Sequence, residues 1–146
     1  MGKLITLLLS FFLLSISAIG VLADDTNTLY QSAEIEEAFL NLSTDKGAAE
    51  LHFKITNQSS GMLTIIGVTG LQQIQSRILA RLDGERIAEL KSISLEPEET
   101  LDLTTSHMSI RLSGLPDSFQ NVEKVDLLII LSKGNLPFTA HIINGS

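Results

Sequence analysis

A histidine stands beside a methionine at His107-Met108, in a 146-residue chain that has no cysteine. Imidazole and thioether are donors that suit soft, low-charge metal ions, Cu(I) among them. Without a thiolate there is no CxxC redox pair, no cysteine zinc site and no cysteine nucleophile. The other two histidines, His52 and His141, each sit on the polar side of a strand-like pattern. A lone histidine so placed is ordinarily a surface or edge residue. Met62 follows a turn-like stretch and is expected to pack in the core or at its rim. The carboxylates gather as Glu34, Glu36 and Glu37 and as Glu96, Glu98 and Glu99, in polar contexts that read as solvated faces and turns. There is no GxSxG, no glycine-rich phosphate loop and no HExxH, so no enzyme is expected. Asn41, Asn57 and Asn144 each open an Asn-x-Ser triplet, which matters only in a glycosylating secretory pathway.

The N-terminus says where such a protein would work. Lys3 is followed by an apolar run over residues 4–22, broken only by Thr6, Ser10, Ser15, Ser17 and Gly20. Val21-Leu22-Ala23 then precedes Asp24-Asp25. Residues 1–23 therefore read as a secretory signal peptide cleaved before Asp24, which implies a periplasmic or secreted protein. The run is also long enough for a membrane anchor. The cleavage-site fit and the polar residues near its end favour cleavage, after which no membrane segment is expected. The formal charge is −7, and loss of Lys3 adds one negative unit. Such a surface repels phosphate backbones, which argues against nucleic-acid binding, but it does not repel a cation.

Beyond the leader, nearly every segment reads as strand. Residues 49–57 alternate Leu51, Phe53 and Ile55 against His52, Lys54 and Thr56. This is the period of two that puts one face inward. A turn-like Asn-Gln-Ser-Ser-Gly at 57–61 leads to an apolar run at 62–69. Residues 74–82 fit strand or helix, but Asp83-Gly84 follows, so 74–82 and 85–93 are expected to form a β-hairpin. Leu101 and Leu103 share one face. Met108, Ile110 and Leu112 share another, opposite His107, Ser109, Arg111 and Ser113. Residues 122–131 suit a central strand, and Lys133-Gly134-Asn135 turns it into 138–143. The pattern predicts an all-β antiparallel sandwich in one domain, 33–146, after a loose N-terminal arm at 24–32.

In order and pattern, several of these segments resemble the periplasmic copper chaperones of the PCu(A)C type. Ile35-Glu36-Glu37-Ala38-Phe39 is similar to that family's VxDAWxR, and residues 48–57 to its AAxYxxIxN. Residues 93–103, ISLEPEETLDL, are similar to xxIPAGGxVxL, and residues 109–115, SIRLSGL, to the end of GGxHxMLxGL. The resemblance runs from about Ile35 to Ile143. It implies a cupredoxin-like Greek-key sandwich and no enzyme activity. It also implies that Cu(I) is carried, on two histidines and two methionines, toward a cytochrome oxidase copper-centre subunit. A non-metal module on the same fold, docking another periplasmic protein, is the alternative.

The ligand positions are where the chain departs from the family. Aligned on Ser-Gly-Leu without a gap, the family's His-x-Met falls on Ser109 and Arg111. Serine is a poor ligand for Cu(I), and a guanidinium repels it. The family's first pair falls between Ser76 and Leu90, with Leu79 and Leu90 near the expected places and no histidine or methionine present. Metal binding is thus expected to be lost or altered. The remaining candidate ligands are His107 and Met108, which in a regular strand point to opposite faces. Only a bulge or turn at Ser106 would bring both to one ion.

Overall fold

The computed structural model describes residues 32–70 and 74–144. The signal-peptide segment 1–23 and residues 24–31 of the arm lie outside the described residues. The strands are β1 (Ala33–Leu42), β2 (Ala48–Asn57), β3 (Leu63–Gly70), β4 (Gln75–Arg81), β5 (Ile87–Leu90), β6 (Ile93–Leu95), β7 (Thr100–Asp102), β8 (Met108–Ser113), β9 (Lys124–Leu131) and β10 (Gly134–Asn144). A 3-10 turn at Asp117–Asn121 separates β8 from β9.

Alternation explains most of this architecture. In β2, Ala49, Leu51, Phe53 and Ile55 are buried while His52, Lys54 and Thr56 are half-exposed. In β8, Ile110 and Leu112 are buried and Arg111 and Ser113 exposed. Leu127, Ile129 and Leu131 of β9 face the same core. The strands bond in the order β5-β4-β8-β2-β1-β10-β9-β3-β6, with β7 also paired to β2. Neighbours so far apart in sequence are the mark of a Greek key, and the fold is all-β, as the alternation predicts, and cupredoxin-like, as the resemblance implies. One pair is parallel, β1 with β10, in register from Phe39↔His141 to Leu42↔Asn144.

The sheet nearly closes on itself. On one side β1 and β10 join its two halves. On the other, Ser76 of β4 accepts a hydrogen bond from the Val68 N–H of β3 at 2.8 Å. Gly67 permits this approach, since a Cβ there would lie 2.8 Å from the Ser76 hydroxyl.

Two expectations need correction, the length of the hairpin's second arm and the packing of Met62. The segment 74–82 is strand, and its hairpin holds from Ile78↔Leu90 to Arg81↔Ile87 around Gly84, whose φ is +79°. Its second arm is shorter than 85–93, because Ile93 leaves for the other half of the sheet and pairs with Ile65 of β3. Met62 is 59% exposed, since it precedes β3 and the inward positions begin at Leu63. β1, whose glutamates hide its alternation, runs the full Ala33–Leu42 with a register shift between Glu36 and Phe39. There Glu37 takes a φ of +51°.

Candidate metal site

β2 changes partners along its length. Up to Leu51 it pairs with β8, in register Leu51↔Ile110. From Lys54 it pairs with β7, in register Lys54↔Asp102. The chain between the two partners, residues 103–107, turns sharply. Asp102 holds the turn by accepting hydrogen bonds from the Thr104 hydroxyl at 2.6 Å and the Thr104 N–H at 2.8 Å. These bonds, the hydroxyl's first, hold the Asp102 carboxyl below its ordinary value. Ser106 ends the turn. Its Oγ accepts from the Met108 N–H and lies 3.1 Å from the Met108 carbonyl, to which it donates.

A cavity of about 180 Å3 lies where β2 switches partners. His52, His107, Met108, Ser109, Leu79 and Ile87 all line it. His107 is exposed, and its carbonyl extends the β4–β8 ladder by accepting from the Arg81 N–H at 2.8 Å. Met108 is half-buried, continues the inward row of Ile110 and Leu112 and packs against the core. The two residues thus lean on opposite sides of the strand backbone, as alternation predicts, and both contribute to the lining of the same cavity beside the Ser106 turn. Glu50 and Arg81 bring one charge of each sign to the lining.

The gap-free family positions divide. Ser109 lines the cavity, paired across strands with Leu79. Arg111 does not. Its guanidinium lies 3.5 Å from the Asp45 carboxylate, an exposed ion pair directed away from the cavity. Leu79 lines the cavity, whereas Leu90 is half-buried against the core and Ile87 lines the cavity in its stead.

His52 is the residue that sequence reading undervalued. It is half-buried and stacked on Phe39 of β1, with ring centroids 4.8 Å apart and planes at 19°. Its Nδ1 is buried without a hydrogen-bond partner. A buried polar atom so placed costs free energy and calls for an explanation. The only sequence signal was its place two residues before Lys54 on the outward row. His141 is exposed and lies elsewhere, beside Phe39 on β10. Among the described residues, no three of His, Cys, Asp and Glu come together to hold a metal ion. A metal here would therefore depend on the Met108 thioether.

A second opening lies on the other side of the sheet. β1 and β10 pair only from Phe39 onward, and their N-terminal halves bound a cleft of about 580 Å3 lined by Ala33, Ile35, Leu136, Pro137 and Phe138. Pro137 has no N–H to give a ladder and sits where β1 is not paired with β10, a place where a strand tolerates proline.

No protein-family model matches the sequence, and no curated protein matches it. Solved structures do. The chain is similar to the copper-bound PCuAC domain from PmoF2, with a TM-score of 0.63 at 14% identity over 78% of this chain and 94% of that one. The apo PmoF2 PCuAC domain gives a TM-score of 0.60 at 14% identity, covering 77% and 90%. The apo PCuAC domain from PmoF1 gives 0.64 at 13% identity, covering 78% and 95%. At such low identity the likeness speaks for backbone and topology, and on those grounds this chain has the PCuAC-type fold.

Proposed function

We propose that this protein is an exported, copper-chaperone-like carrier of Cu(I) with an altered ligand set, in which His107 and Met108 serve in place of the family's His-x-Met pair. One observation carries the reading: on a PCuAC-type fold, His107 and Met108 line a single cavity beside the Ser106 turn. The diversion of Arg111 to Asp45 supports it, because that guanidinium is kept out of the cavity, and the Arg81 that does line it stands with Glu50. Uncharged donors suit cargo that must be handed on, to an oxidase copper centre or another periplasmic acceptor. The reading makes the protein a carrier and not an enzyme.

The test is Cu(I) titration of the purified protein under anaerobic, reducing conditions against a chromophoric chelator. One Cu(I) is expected per chain. His107→Ala and Met108→Ala should each weaken binding at least tenfold, about 1.4 kcal/mol. If the wild type takes up no Cu(I), the reading fails. The alternative, a non-metal interaction module, is then the better one. It is favoured by the cleft between β1 and β10, where unpaired strand edges can receive a partner's extended segment.

A further inference from the structure

The imidazole that the resemblance places at position 109 is missing, and the register shows where another can come from. Leu51 of β2 pairs with Ile110 of β8. The ladder ends there, and its register continued one step sets His52 toward Ser109, which lines the same cavity. The row Phe39, His52, Ser109, Leu79 and Glu89 therefore crosses β1, β2, β8, β4 and β5 on the outer face of the sheet. Residues directly opposite in such a row have Cβ atoms about 4.5–5.5 Å apart. An imidazole rooted at position 52 can therefore reach the space that one rooted at position 109 would fill. Ser109 is small enough to leave that space open.

Two further observations point at His52. It lines the same cavity as His107 and Met108. Its Nδ1 is buried and has no protein partner, so no hydrogen bond at that atom commits the ring to one tautomer. The stack on Phe39 fixes the ring plane without using either nitrogen. The ring is thus held in place on the wall of a cavity that a second histidine and a methionine also line.

We infer that His52 supplies the second imidazole of a three-donor Cu(I) site with His107 and Met108. The inference rests on the reading of the protein as a Cu(I) carrier and names one ligand of that site. All three donors are uncharged, the set that a soft monovalent cation accepts and a dication does not demand. This also accounts for the absence of a carboxylate-and-histidine cluster among the described residues, since one of the donors is a thioether.

The experiment is copper-edge X-ray absorption on the Cu(I)-loaded protein, with ring-nitrogen NMR of His52 recorded before and after Cu(I) addition. Two imidazole nitrogens and one sulfur are expected, and the His52 ring nitrogens should shift on loading. In His52→Asn, checked for folding by thermal melting, one imidazole should disappear. Affinity should fall by at least the roughly 10–100-fold that losing even an outer-sphere partner of a metal ligand costs. A wild type that binds Cu(I) with one imidazole, with the His52 resonances unmoved, overturns the inference and leaves the carrier reading intact. A wild type that binds no Cu(I) overturns both. The NMR measurement uses the wild type alone, so a poorly folding variant does not blunt the test.

Discussion

Phe53 and Lys54 are neighbours in sequence and opposites in consequence. Phe53 is 0% exposed and packs edge-on against Phe138 at 5.8 Å. Phe53→Ala should cost about 3–5 kcal/mol in denaturant unfolding, from lost transfer energy and the cavity left behind. Lys54 makes an exposed ion pair with Glu36 at 2.9 Å, and this bond with the Glu36 charge raises the lysine's pKa. Such pairs are screened by water, so Lys54→Ala should leave stability nearly unchanged in the same measurement. Asn57 is the one buried polar residue among the described residues. Its Nδ2 donates to the carbonyls of Gly61, Leu95 and Glu96, and its Oδ1 accepts from the Ser59 N–H and hydroxyl. It ties the turn after β2 to the end of β6, and its amide cannot carry a glycan in this fold. Asn57→Ala should cost about 2–3 kcal/mol in the same unfolding measurement, because buried carbonyls lose their donors.

Among the elements, the turn between β7 and β8 matters most to the site, since it sets His107 and Met108 at the cavity. Asp102 holds that turn as a carboxylate, with its pKa lowered by the hydrogen bonds from Thr104. A lowered carboxyl stabilises the fold fully above the ordinary aspartate value of 3.8, and the contribution is lost as pH falls through the lowered value. Amide exchange at Thr104 should therefore stay protected at neutral pH and open in strong acid below 3.8. Asp102→Ala, which removes the acceptor, should open the same amide at neutral pH and remove the acid dependence. The β4–β5 hairpin was legible from Asp83-Gly84, because a local φ requirement leaves its mark on local residues. The partner switch of β2 was not. Nothing in residues 48–57 distinguishes a strand with one neighbour from a strand with two.

At the scale of the molecule, one continuous core holds the fold with no cysteine to form a crosslink. Leu51, Ile55, Ile65, Ile110, Leu127 and Ile129 come from four strands and are all fully buried. The circular dichroism spectrum should be that of a sheet protein, and the melting temperature should be unchanged by a chelator or a thiol reductant. Cu(I) in excess should raise the melting temperature only through binding to the folded state, by an amount that grows with free Cu(I). A melting temperature that collapses with chelator would show that the cargo is structural.

Alternation and turn residues were enough to determine the all-β class and the core face of β2 and β8. These are local properties. A period of two is written in successive residues. Tertiary structure alone decided that Arg111 turns to Asp45, that Leu79 and Ile87 rather than Leu90 face the cavity, and that His52 and Ser109 line it together. The reason is physical. Which strands become neighbours depends on pairing and burial summed over the whole chain, and residues 52 and 109, which line this cavity, lie on strands distant in sequence and adjacent in the sheet.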